Sequence, residues 1–284
     1  MTDAVLHYDN PDWCEREYNP RVIIPDLPAV FGRWLDNAAA TRARLPHQAG
    51  LAYGDDPREL LDIFRADRPR GTVVFIHGGY WRASSKDEVS WAAAALVPAG
   101  FTVVVLNYPL CPQVTIAGIA ESCRRAIAFA WTELLDEAER RTVILSGHSA
   151  GGYLTAAMLA TDWAARGLPA APFAGGVSIS GVFDLRPLLR TSMNELIRLT
   201  PDQAADWSLH IVPEPASTTP LELLVGGDET PEFHRQSALM AAAWPRLARA
   251  PISVPGRHHF DVVEEIGRHG TAVFDAVLRL GQVR

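Results

Sequence analysis

From about residue 60 onward, short uninterrupted runs of apolar and β-branched residues recur: Thr72–Ile76, Phe101–Leu106, Thr142–Leu145, Gly175–Ile179 and Leu221–Val225. Runs without polar alternation suit strands covered on both faces, as in a largely parallel sheet. Helix-period stretches lie between them. One opens at Ser85-Lys86-Asp87-Glu88, the spacing of a capping box. A second spans about 115–139, a third follows Ser149, and the last covers 261–280. Strands alternating with helices predict a central, mostly parallel sheet flanked by helices, an α/β architecture joined by right-handed crossovers.

Two stretches depart from this rhythm. Residues 1–50 are punctuated by Pro11, Pro20, Pro25 and Pro28, with one helical pattern between Pro28 and Leu45. They read as an amino-terminal arm packed on a body formed by residues 51–284. Residues 181–219 show no clear strand and contain Pro187, Pro201, Pro213 and Pro215. They read as a small cap insertion above the strand ends.

Composition narrows the picture only a little. The 284 residues are 48% hydrophobic and 21% charged, ordinary for a water-soluble chain that can bury a large core. The net charge of −7 offers no basic footprint for nucleic acid or for an anionic membrane. The three cysteines, Cys14, Cys111 and Cys123, are odd in number and lack metal-ligand spacing, so neither a disulfide framework nor a bound metal is expected. Met1–Val5 carry no leader-like pattern and no apolar run is long enough to span a bilayer, so a cytoplasmic location is expected.

Gly147-His148-Ser149-Ala150-Gly151 follows the Thr142–Leu145 strand and leads into an alanine-rich helix. A G-x-S-x-G sequence on a strand–turn–helix is the nucleophile elbow of α/β hydrolases, which presents the serine hydroxyl on a strained turn. His77-Gly78-Gly79-Tyr80-Trp81 after the Thr72–Ile76 strand resembles the loop whose amides hold an oxyanion in esterases. Its candidate donors are the amides around Gly78, Gly79 and Tyr80, joined by that of Ala150. Serine needs an imidazole to take its proton and a carboxylate to orient that imidazole, in the chain order Ser, acid, His. Asp228, ending the Leu221–Val225 strand segment, is the expected acid, with Asp184 the runner-up and Glu229 behind both. His258 and His259 precede the last helix, where the base arrives, and spacing alone does not separate them. Trp81, Tyr153 and Trp207 are candidates to wall the substrate site, with ordinary packing the competing reading. No metal or organic cofactor is called for.

Several segments together resemble the arylformamidase (kynurenine formamidase) family of α/β hydrolases. They are His77–Trp81, Gly147–Gly151, Ser180–Leu185, Pro231-Glu232-Phe233-His234-Arg235-Gln236-Ser237 and His259-Phe260. The resemblance implies an α/β-hydrolase fold and a base placed directly before a phenylalanine, which selects His259. It likewise supports Asp228 as the acid and a structural part for Asp184. It implies removal of a formyl group from an aryl amide such as N-formyl-L-kynurenine through a formyl-serine. The partner expected is a small aryl formamide or short ester, with no nucleic acid or membrane and with room for a homodimer. The alternatives are a short-chain carboxylesterase with the same triad and a catalytically silent binding protein of this fold.

Overall fold

A computed structural model describes residues 7–282 of the chain; Met1–Val5, read above for a leader, lie outside them. Eight strands form one sheet: β1 (His47–Ala52), β2 (Leu60–Phe64), β3 (Gly71–Ile76), β4 (Phe101–Leu106), β5 (Val143–His148), β6 (Gly175–Ile179), β7 (Leu221–Gly226) and β8 (Ile252–Val254). Their order is β1-β2-β4-β3-β5-β6-β7-β8. The β1–β2 and β2–β4 pairings are antiparallel; every pairing from β4 to β8 is parallel. Strands β3, β4, β5 and β7 are buried at every residue, which explains why their sequences are mainly apolar, with Glu222 of β7 the one charged side chain among them.

Six helices of eight or more residues are found among the described residues: α1 (Pro11–Tyr18), α2 (Leu27–Arg44), α3 (Ile116–Phe129), α4 (Ala150–Leu159), α5 (Pro231–Ala243) and α6 (Ala272–Leu280). They cover both faces, and two apolar clusters form the core. One contains Ile76, Leu145 and Leu154; the other contains Phe75, Ile144 and Val277.

The helices differ from their expected outlines for local reasons. No cap bond forms at Ser85; Ser84 Oγ donates instead to Glu88, and Lys86–Glu88 make only one 3-10 turn. The 115–139 pattern ends α3 at Phe129, passes through a π turn and leaves helix geometry at Leu135. A new turn then starts at Asp136, which forms a reciprocal capping box with Glu139. The 261–280 pattern is a 3-10 segment, Val262–Gly267, parted from α6 by Gly270 at φ 71°. At the amino end, residue 50 falls inside β1, so the sheet begins before the expected arm ends. The expected cap, 181–219, holds only short turns and helices: Arg186–Arg190, Asn194–Ile197, Pro201–Asp206 and Leu209–Ile211. Among the described residues no helix is long and apolar enough to cross a membrane.

Candidate active site

Ser149 stands between β5 and α4 at φ 56° and ψ −116°. That backbone conformation is strained for a residue with a side chain and persists only where its surroundings enforce it. The flanking glycines show what enforces it. A Cβ on Gly147 would lie 2.2 Å from the Gly151 carbonyl oxygen, and one on Gly151 would lie 2.1 Å from that of Ile76. The turn therefore closes only with hydrogen at both positions.

The β3–β5 register pairs Ile76 with Gly147, which lays the loop after β3 beside the elbow. A Cβ on Gly78 would meet the His148 carbonyl oxygen at 2.8 Å and Ser149 Cβ at 3.3 Å. The loop runs through positive φ at Gly79, Tyr80 and Trp81 (102°, 49° and 55°). His77 holds its base, hydrogen-bonded to the Gly78 carbonyl and Asn107 and stacked on Tyr108 at 4.2 Å between ring centroids. Burial depresses its pKa to about 4, which keeps it neutral. Gly78, Gly79 and Tyr80 line the same pocket as Ser149. Ala150 is the first residue of α4, so its amide belongs to the four that a helix leaves without an internal partner.

His259 arrives from the loop after β8 and is 2% exposed. Its Nδ1 lies 2.6 Å from Glu229 Oε2, whose side chain is wholly buried. A carboxylate accepts only, so Nδ1 carries the proton and Nε2 is left with its lone pair. Glu229 Oε1 is held in turn by the Ser180 hydroxyl and by the Gly226 amide at 2.7 Å. Phe233 packs against the imidazole at 4.4 Å and His148 at 4.6 Å between ring centroids. His148 Nε2 donates to the His259 carbonyl at 2.8 Å. Burial, and next the neighbouring His259, push the His148 pKa well below its ordinary value. His258 turns away, its amide donating to Asp261.

The expected acid, Asp228, is corrected by this geometry. Asp228 is exposed, and its amide is bound to the Arg257 carbonyl at 2.9 Å. The chain turns after Gly226, and Glu229, the residue after Asp228, points inward. Its longer side chain spans to the imidazole. Asp184 lies elsewhere, bound by Arg186 and by the Tyr8 hydroxyl.

The expected aromatic wall is also corrected. Trp81 is completely buried and meets Tyr153 edge-on at 5.4 Å, while the Tyr153 hydroxyl donates to the Trp207 carbonyl. None of the three lines the pocket. Its walls are Trp34 and the Asn19–Arg21 turn of the amino-terminal segment, with Trp91, Met193, Arg82 and Phe260. Sequence reasoning passed over Trp34 and Arg21 because nothing local ties a distant helix to the nucleophile. The one signal was the stripe Val30, Trp34, Ala38, Thr41, which predicts a buried face but not what it faces.

Ser149, the 78–80 loop, Glu229 and His259 follow the carboxyl ends of β5, β3, β7 and β8, the usual place for a site in an open α/β sheet. A family model for the α/β-hydrolase fold matches residues 73–245, and the chain belongs to that family. Among its relatives are kynurenine formamidases. The one from Salmo salar is 29% identical over 228 residues, covering 76% of each chain. That from Danio rerio is 28% identical over 277 residues, covering 92% of this chain and 89% of its own. A crystal structure of a candidate thioesterase from Silicibacter sp. superposes with a TM-score of 0.83 at 31% identity, covering 93% of this chain and 98% of that one. The protein is thus a hydrolase, kynurenine formamidase-like in sequence.

Proposed function

We propose that the protein is a serine hydrolase that removes a formyl or similarly small acyl group from an aryl amide such as N-formyl-L-kynurenine, giving formate and kynurenine. The observation that carries the reading is the buried Glu229–His259 pair at 2.6 Å in the pocket that Ser149 lines. Glu229 holds the imidazole as the Nδ1–H tautomer, so Nε2 takes the Ser149 proton as the hydroxyl oxygen attacks the acyl carbon. Amides of the 78–80 loop and of Ala150 stabilise the tetrahedral oxyanion, each donor contributing about 3 kcal/mol to the transition state. Protonated His259 then gives its proton to the departing aryl amine. Water, deprotonated by the same imidazole, releases the acid from Ser149. The close approach of Gly78 to Ser149 favours a small acyl group.

The test is kcat/KM for N-formylkynurenine and for p-nitrophenyl acetate, with Ser149→Ala as control. A formamide value at or above the ester value, abolished by the substitution, is expected. Brisk ester cleavage with negligible formamide turnover would replace this reading with a short-chain esterase. Failure of a fluorophosphonate to label Ser149 would leave only a silent binding protein.

A further inference from the structure

Two arginines line the pocket that contains Ser149 and His259: Arg21, from the turn after α1, and Arg82, three residues beyond Gly79 on the loop beside the nucleophile. Neither forms an ion pair among the described residues. Arg82 Nε is screened from solvent and donates to no protein acceptor. The Arg21 guanidinium sits 5.1 Å over the Phe31 ring. Desolvation, followed by repulsion from Arg82, lowers the Arg21 pKa against the opposing attraction of Glu88.

Two nearby carboxylates direct their hydrogen bonds to neutral groups rather than to the arginines. Glu15 accepts from Asn19 and Ser192, and Glu88 accepts from Ser84. Two guanidinium groups are therefore gathered at one pocket with no carboxylate of the described residues in direct contact with either, although Glu88 attracts Arg21 and Glu15 attracts Arg82 from farther off. An anion bound between the two guanidinium groups offsets their mutual repulsion. Guanidinium groups suit a carboxylate because its two oxygens match their fork of donors.

We propose that Arg21 and Arg82 form a subsite for a carboxylate carried by the substrate. Resting on the small-acyl reading above, the charge belongs to the leaving aryl half, since a formyl or acetyl group has no place for it. The enzyme then selects aryl amides or esters whose leaving group is an anionic amino or hydroxy compound. The two arginines orient that half while Ser149 attacks the other.

The experiment uses a matched pair of aryl acetates, one with a propionate carboxylate on the ring and one with the corresponding carboxamide. The quantity read is the ratio of their kcat/KM values in the wild type, Arg21→Gln, Arg82→Gln and Arg82→Lys. A hydrogen-bonded charge pair supports a loss of roughly ten- to a hundredfold in that ratio for each Gln variant, mostly in KM, with partial recovery in Arg82→Lys. The wild-type ratio also falls as salt is raised. A ratio that stays within about twofold of wild type in both Gln variants overturns the subsite. Because both probes are esters, collapse of the ratio without any formamide turnover would uphold the subsite while removing the formamidase reading.

Discussion

At the scale of single residues, the site turns on which of two adjacent acids touches the base. Asp228 and Glu229 follow one another after β7, yet one is exposed and the other buried against His259. Glu229→Gln keeps the shape but offers an amide that can hold the imidazole in the wrong tautomer. A loss in kcat of roughly 10^3 to 10^4 is expected, by analogy with the same change in other triads. Asp228→Asn, which removes an exposed charge, is expected to leave kcat within about threefold, small against that loss. Measuring both by steady-state kinetics decides the matter; equal losses would return the acid role to Asp228. Gly78 invites a second test. A methyl group there would press on the His148 carbonyl and on Ser149, so Gly78→Ala should reduce kcat more than it reduces Tm.

The elements that build the pocket are joined by a polar cluster away from the chemistry. Tyr18, at the end of α1, donates to Glu232 and accepts from Arg235 and Gln236 of α5. Gln236 also accepts from the amides of Phe183 and Asp184, and Tyr8 bridges Arg235 and Asp184. This gives physical content to the Pro231–Ser237 motif. Phe233 packs on the base, while Glu232, Arg235 and Gln236 clamp the amino-terminal segment that brings Asn19 and Arg21 to the pocket. Tyr18→Phe removes the shared hydroxyl and leaves buried partners unsatisfied, a destabilisation of about 1–3 kcal/mol. The expected signs are a Tm lower by several degrees in calorimetry and a KM that rises while kcat changes little. An unchanged Tm would mean that the hydroxyl carries no net stability.

For the whole molecule, two buried neutral histidines couple stability to pH. His77 titrates at about 4 in the folded protein, and His148 is also pushed below its ordinary value. Both titrate near pH 6.5 when unfolded. Below that pH the unfolded chain takes up protons that the folded chain refuses. Their contribution to stability is therefore complete above pH 6.5 and is lost as pH falls toward 4, amounting to roughly 3 kcal/mol for His77 alone. Carboxylates held below their ordinary values, such as Glu121 and Asp184, act at lower pH, so the interval from 6.5 to 5 belongs to the histidines. Calorimetry across that interval should show Tm falling, equally in Ser149→Ala. A flat Tm would mean that the histidines are not buried neutral.

The alternation of apolar runs with helical periods determined the α/β class, because strands covered on both faces are mostly apolar and the few polar residues they hold, such as Glu222, need partners. The glycines around Ser149 marked the elbow because only hydrogen fits where Gly147 meets the helix and where Gly151 meets the end of β3. The choice between Asp228 and Glu229 was not legible, since both follow the same strand and their burial depends on how the turn after Gly226 packs against the loop of His259. Nor was the pocket wall. Trp81 and Tyr153 are close to the motifs in sequence but packed into the core. Trp34 and Arg21 lie more than a hundred residues from Ser149, and only the folding of the amino-terminal segment over the strand ends brings them there.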